Sequence, residues 1–382
     1  MPIIVLRGYY GFGNLGDDIL MLICSKWVKE VFPNCDIIVC TAGNSRFSYI
    51  PKLTGGLVKS VVSIYPEPEA DLIIHGGGGT YFDFQPGNWK YYLLNKLING
   101  IGFMHFSTLL KRFRLLKGWP AGRDRIRIGL GIGVGNFVFN SKKYFVKAAE
   151  LADFDLMITR DRSSFKRLKE KHLKAEIWNS TDLAFLKEYW AVETDTGIKV
   201  DSDQKRVGFV IRWWKMDQSY LETIHQCAGK LAADGYLVSI YVFEKELDQP
   251  VSEMFNDFNR YIWDPKEIGL SKYLELFGRL DLVVTSRAHG AILASAMDIP
   301  SVCIGIDPKL RTFHDMLPNG SSYVECPLLL PKLMKSIDTT LRIPAEVVRD
   351  DFAANRRIAV SSMALVKKWL QNRVDDIKYQ AG

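Results

Sequence analysis

The chain has 382 residues, 47% of them apolar and 24% charged. At about 150 residues per domain that length suggests two or three domains with sizeable buried cores, and the composition excludes disorder as the main state. Fifty Lys and Arg stand against 43 Asp and Glu, a net charge of +7, too mild to argue for nucleic-acid binding.

The pattern along the chain is strand, turn, helix, repeated. Ile3–Leu6 reads as a first strand that runs into a glycine-rich turn, with a helix expected over 17–32 and acids in its first turn. Further strands are expected at Ile37–Cys40, Val58–Ile64, Leu72–His75, Ile126–Ile132 and Leu156–Thr159, with helices over 89–117, 141–152 and 161–172. The polar stretch 187–205 breaks the alternation and reads as a linker. The alternation restarts with strands at Val207–Ile211, Leu237–Phe243, Leu282–Thr285 and Ser301–Ile304, separated by helices over 217–234, 270–279, 289–297 and 309–317. A helical stretch over 344–374 closes the chain. Continuous apolar strands alternating with helices imply parallel sheets covered on both faces. The expected fold class is therefore α/β, with two doubly wound, Rossmann-like domains facing a cleft. The expected domains are 1–186, a linker 187–205, a second domain 206–343, and a C-terminal segment 344–382 packing back on the first.

Six cysteines form no CxxC pair and six histidines no HxH or HxxxH spacing. Neither a disulfide frame nor a metal site is indicated, and the thiols read as reduced in a cytoplasmic protein. The apolar run after Met1 is too short for a signal peptide, and no run of ~18 uncharged apolar residues offers to span a bilayer. Charge is concentrated in residues 88–127, where nine Lys and Arg face Asp124 alone, interleaved with aromatic residues. That mixture suits an anionic membrane surface, so a peripheral membrane contact is expected there. The bland alternative is a solvated basic face.

In doubly wound folds ligands sit beyond the carboxyl ends of the strands. Gly11-x-Gly13-x-x-Gly16 meets the dinucleotide pattern, but the second strand lacks the ribose-binding acid. Asp17 and Asp18 also stand where a pyrophosphate needs positive potential. Exposed backbone beside carboxylates suits a hydroxyl-bearing ligand such as a sugar. His75 is followed by four glycines, a run that lets backbone N–H groups approach a ligand closely. No Gly-x-Ser-x-Gly elbow accompanies it, so the esterase reading fails. In the second half Arg212, Arg287, Lys309 and Arg311 all follow strands. Their forked or point cations could converge on one small anionic ligand. His289, two residues past Arg287, is placed for proton transfer.

Three stretches together resemble the polysaccharide pyruvyltransferases: Gly8-Tyr-Tyr-Gly-Phe-Gly-Asn-Leu-Gly-Asp-Asp, Asp71-Leu-Ile-Ile-His-Gly-Gly-Gly-Gly, and Ser286-Arg-Ala-His-Gly-Ala-Ile-Leu-Ala running on to Asp307-Pro-Lys-Leu-Arg. Arg160-Asp161 with Ser163, Ser164 and Asp182 fits a fourth. The chain departs from the family's usual pattern at Ala288, where leucine is common, and at the second acid of the first turn. The resemblance implies a GT-B-like fold, phosphoenolpyruvate as donor, no metal and no organic cofactor. It implies a glycan or polyprenyl-linked oligosaccharide of the cell envelope as acceptor, with a pyruvate ketal and phosphate as products. By motif position Arg212, Arg287 and His289 take the donor-site and catalytic roles, with Asp17 or Asp18 as acceptor base from the opposite domain. Lys309, Arg311, Asn14, Gly77, Gly78 and Arg160 are then the substrate-binding candidates. Two rival readings are a GT-B glycosyltransferase using a nucleotide sugar and a non-catalytic glycan-binding protein.

Overall fold

A computed structural model describes residues 1–41, 49–63, 68–81, 125–135, 147, 150–191, 204–214 and 218–380. The chain divides into two compact units. One holds Met1–Gly11, Leu20–Leu183 and Ser361–Gly382, and the other Phe12–Ile19 and Ala184–Val360.

In the first unit β1 (Ile3–Arg7), β2 (Asp36–Thr41), β3 (Val58–Ser63), β4 (Leu72–His75), β5 (Gly78–Tyr81), β6 (Ile126–Val134), β7 (Leu156–Thr159) and β8 (Glu176–Asn179) form one parallel sheet. Its order is β3-β2-β1-β4-β6-β7-β8, with β5 beside β6. The order reverses between β1 and β4, where Arg7 and His75 stand in register. Helix α1 (Leu15–Val31) supplies Leu20 and Cys24, against which the glycine run packs. A Cβ at Gly76 would lie 2.8 Å from Cys24 Sγ and closer still to the Tyr10 hydroxyl, and one at Gly77 would lie 3.2 Å from Leu20. Packing thus leaves no room for a side chain at Gly76 and makes Gly77 tight against Leu20. Gly78 takes φ +98° as β5 begins, so the run is half turn and half strand, where a turn alone was expected.

In the second unit β9 (Arg206–Val210), β10 (Leu237–Val242), β11 (Asn259–Ile262), β12 (Leu282–Thr285), β13 (Ser301–Gly305) and β14 (Ser321–Glu325) form a parallel sheet of order β11-β10-β9-β12-β13-β14. The β12 residues Leu282, Val283, Val284 and Thr285 are all buried, as a strand covered on both faces must be. Phe209, Ile240, Val284 and Val302 build the core with Ile224 and Cys227 of α2 (Ser219–Ala233). Each such side chain contributes about 1.5–3 kcal/mol by leaving water.

The expected boundaries shift in three places. Phe12–Ile19 belongs with the second unit, because Leu15 N donates to Phe243 O at 2.9 Å and Asn14 bridges to Glu244. The start of the expected linker is folded structure of the second unit. Lys187–Tyr189 is a 3-10 turn, Lys187 Nζ donates to Ala296 O, and Trp190 is buried with Nε1 donating to Ala184 O at 2.8 Å. Residues 192–203 lie outside the described part. The terminal helix Ala345–Gln380 belongs to the second unit as far as Val360 and to the first from Ser361. Within the first unit Ser180 Oγ donates to Ser362 and Trp369 Nε1 to Glu176. Most of the expected basic segment 88–127, residues 88–124, also lies outside the described part. Strands β8, β11 and β14 are elements that alternation did not predict, being short, partly exposed edges with mixed polarity.

Candidate functional site

The strand order of the second sheet reverses between β9 and β12, and each of these strands is followed by an arginine. Arg212 lies two residues past Val210, and Arg287 two residues past Thr285, its partner in register. Such a switch point leaves a crevice at the carboxyl ends of the strands. The two turns are tied together, since Arg212 N donates to Ser286 Oγ at 2.8 Å. The hydroxyl of Thr285 accepts from Arg287 N at 2.9 Å and fixes the second turn.

Arg287 is 9% exposed. Its Nη2 donates to Glu244 Oε2 at 3.2 Å and to Asp248 Oδ2. Its Nε is buried and has no hydrogen-bond partner among the described residues. Burial alone would lower its pKa, but the two carboxylates outweigh that and raise it, so the guanidinium stays charged. Arg212 is more open, with its guanidinium carbon 4.7 Å from the Trp214 ring centroid and Nη1 3.9 Å from Asp307 Oδ2. Burial, then the neighbouring Arg287 charge, pulls the Arg212 pKa down. Two cations that repel across one switch point are relieved by an anion between them.

Lys309 enters the same group through Asp307. Its Nζ lies 3.9 Å from Asp307 Oδ2, and Asp307 caps the helix Pro308–Met316 by accepting from Lys309 N at 2.9 Å. Arg311 goes elsewhere. It stacks over Tyr323 at 4.5 Å and pairs with Glu325 of β14 at 3.7 Å. His289 opens the helix Ala288–Ser295. Its ring occupies the space a side chain at Gly16 would fill, since a Cβ there would meet the His289 imidazole well inside contact distance. The third glycine of the dinucleotide-like pattern is thus a seat for a histidine. Gly11 and Gly13 serve the backbone, at φ +85° and +67°.

Asn14 caps α1, its Oδ1 accepting from Gly16 N at 3.1 Å, while its Nδ2 donates to Glu244 Oε2 at 2.8 Å. Asp18 is 1% exposed and accepts from Trp263 Nε1 at 2.9 Å, whereas Asp17 is half-buried. Both acids stand on the segment that belongs with the second unit, so the expectation that they reach His289 from the opposite domain is corrected. Arg160 lies in the first unit. It is buried over Gly133, with Asp161 at 3.4 Å and Asp182 at 4.0 Å, while Asp161 caps the helix Arg162–Lys169 through Ser164. Gly77 and Gly78 also lie in the first unit, packed as described above.

Glu244 and Asp248 escaped the sequence reading, and Asp307 entered it only as the first residue of the Asp307-Pro-Lys-Leu-Arg stretch, without a role. Glu244 falls two residues past β10, the position that singled out the arginines, but only cations and glycine turns were sought there. Among the described residues no group of three His, Cys, Asp or Glu is arranged to hold a metal ion, and no helix is long and apolar enough to cross a membrane.

Two parallel doubly wound units define a protein of the GT-B fold class. Solved structures of that class align along nearly the whole chain. Staphylococcus aureus MnaA in complex with UDP aligns at TM-score 0.59 with 8% identity, covering 97% of each chain. The UDP-GlcNAc 2-epimerase of Neisseria meningitidis aligns at 0.52 with 7% identity, covering 96% of this chain and 100% of that one. The wall teichoic acid polymerase TagF aligns at 0.53 with 13% identity, covering 97% and 89%. No curated protein matches the sequence. The polysaccharide pyruvyl transferase family model matches residues 14–308. The chain belongs to that family and is a transferase acting in pyruvyl transfer to polysaccharide.

Proposed function

We propose that the protein transfers the pyruvyl group of phosphoenolpyruvate onto two hydroxyls of one sugar in an envelope glycan or polyprenyl-linked oligosaccharide, forming a cyclic ketal. The observation that carries this is the Arg212–Arg287 pair at the β9/β12 switch point, with the nine-tenths-buried Arg287 keeping its Nε in no hydrogen bond among the described residues. Phosphoenolpyruvate brings a carboxylate and a phosphate on three carbons, and separate cations for each suit that spacing.

In this reading Arg212, Arg287 and Lys309 bind the donor and stabilise the departing phosphate. His289 delivers a proton to the methylene carbon, which becomes the methyl group, and C2 becomes electrophilic. One sugar hydroxyl attacks C2 and Asp17 takes its proton. The C2–O bond to phosphate breaks, the second hydroxyl closes the ketal, and its proton leaves with the phosphate. Asp18, held by Trp263, anchors the loop. No metal or organic cofactor has a step. The basic, aromatic segment 88–127 holds a lipid-linked acceptor at the inner membrane face, which co-sedimentation with anionic vesicles at low salt tests.

The experiment is calorimetric titration with phosphoenolpyruvate beside UDP-sugars, followed by phosphate release with acceptor glycans. Saturable phosphoenolpyruvate binding that vanishes in Arg287→Ala supports the proposal. Binding of a nucleotide sugar alone would overturn it and leave a glycosyltransferase.

A further inference from the structure

Two carboxylates meet one nitrogen of Arg287, and this arrangement also reaches the N-terminal glycine-rich turn. Glu244 Oε2 receives Arg287 Nη2 on one side and Asn14 Nδ2 on the other, at 3.2 and 2.8 Å. Asp248 Oδ2 receives the same Nη2, while its Oδ1 accepts from Trp213 N at 2.8 Å, next to Arg212. The side chains of Glu244 and Asp248 are 5% and 0% exposed. A main-chain bond from Asp248 N to Glu244 O, 2.9 Å, locks the two acids to each other.

A lone buried ion pair leaves a guanidinium free to rotate about its end. Two acids on one Nη hold the guanidinium from two directions, while the adjacent Nε makes no hydrogen bond among the described residues. Asp248 holds both arms of the site, Arg287 through its side chain and the Arg212 turn through the Trp213 amide. Asn14 holds Glu244 from the opposite side.

We infer that Glu244 and Asp248 are positioning residues that orient Arg287 and Arg212 for the donor's anionic groups. Asn14 acts through Glu244 and makes no contact with substrate. The inference rests on the reading of Arg287 as a donor-binding cation. It assigns the asparagine of the glycine-rich turn to the donor side of the reaction. A substrate-binding asparagine and a relay asparagine differ in a measurable way. The relay loses its effect once Glu244 is neutralised.

The test is a double-mutant cycle on the full chain with Asn14→Ser, which keeps a cap for Gly16 N and removes the amide donor to Glu244, Glu244→Gln and the double variant. Turnover, phosphoenolpyruvate affinity and melting temperature are read for each. Glu244→Gln keeps volume and an acceptor oxygen but removes the charge. Expected are kcat losses of about tenfold or more in each single variant, the scale of a slightly misplaced catalytic group. Donor affinity should hold or tighten, because a competing negative charge has left. The double variant should lose no more than the worse single variant, the non-additivity of residues acting along one path. Asp248→Asn should lower kcat further than Glu244→Gln, since Asp248 holds both turns. If its fold fails by melting, the Asn14–Glu244 cycle still decides. Losses that multiply in the double variant, or a Glu244→Gln kcat within about twofold of wild type, would overturn the inference. The donor reading is judged on wild-type binding alone, and the cycle on ratios to wild type with whichever donor the wild type turns over, so the two failures are separately visible.

Discussion

Both sheets reverse strand order at their centre, with Arg7 and His75 ending the middle strands of the first and Arg212 and Arg287 following those of the second, yet the two places are built differently. At β1/β4 His75 has both ring nitrogens engaged, Nδ1 with the Tyr81 hydroxyl and Nε2 with Arg127 Nη1, each at 3.1 Å. Glu150 stands beside it, 3.4 Å from Arg7 and 2.8 Å from Lys147. At β9/β12 the acids take only one nitrogen of Arg287 and leave its Nε without a protein partner among the described residues. Topology gives both sheets an address for a ligand. The first is buried throughout, at Arg7, His75, Arg127 and Glu150, whereas Arg212 at the second is about a third exposed, and that access decides which address is open.

The sharpest way to break that contrast is to damage the closed cluster. Glu150→Gln leaves buried Arg7 and half-buried Lys147 without their acid. Removing one partner of a buried ion pair costs about 3–5 kcal/mol, so a large drop in melting temperature is expected. Turnover per folded molecule and donor affinity should stay near wild type. If the variant instead melts normally and loses turnover, the first unit's cluster touches substrate and the contrast is false.

The open site should respond the other way. Arg212 is about a third exposed, so Arg212→Ala should fold with little change in melting. Its loss should lower kcat/KM for phosphoenolpyruvate about 10²–10³-fold, the scale of removing one preorganised charge-stabilising donor. Near-normal kcat/KM would move the donor away from β9.

Much of this was legible in the chain. Strands Leu72–His75, Leu156–Thr159 and Leu282–Thr285 match their predicted bounds, because an unbroken apolar run between polar turns has few other solutions. Arg212 and Arg287 were found by the rule that ligands lie past strand ends. What stayed hidden was pairing at long sequence range. Asn14 and Glu244 are 230 residues apart and Asp18 and Trp263 are 245 apart, and no local period reports such contacts. The same blindness placed Phe12–Ile19 in the first domain and missed that Gly16 leaves room for the His289 ring.

That glycine offers a subtler probe of the open site. A methyl group at position 16 collides with the imidazole of His289, so Gly16→Ala must push the ring or the loop aside. Overpacking costs about 1–3 kcal/mol, and an ångström of displacement at a proton donor costs about 10²-fold in rate. We expect kcat to fall far more than donor affinity, because the arginines stay in place. A fall in affinity with unchanged kcat would mean that the imidazole binds the donor and does not protonate it.

The smallest expected effect separates the two sites by pH. Burial, then the charges of Arg7 and Arg127, hold the His75 pKa well below its ordinary 6.5. The unfolded chain therefore binds a proton near that value that the folded chain refuses. Stability from this group is complete above about 6.5 and declines as pH falls toward the folded pKa, by up to ~1.4 kcal/mol per unit. For Glu150 burial would raise the pKa, but Lys147 and Arg7 together lower it from 4.5. Its contribution is present above that ordinary value and is lost only as pH falls through the lower folded one. Denaturant melts between about pH 7 and 5 thus exclude Glu150 and read His75 together with His314, whose pKa burial also lowers, and His75→Gln should reduce the slope there. The turnover profile over the same range belongs to the β9/β12 site and should not follow the His75→Gln change. A slope unchanged in His75→Gln would assign the whole titration to His314 or another group, and a turnover profile that shifts with this variant would couple the His75 cluster of the first unit to the site of the second.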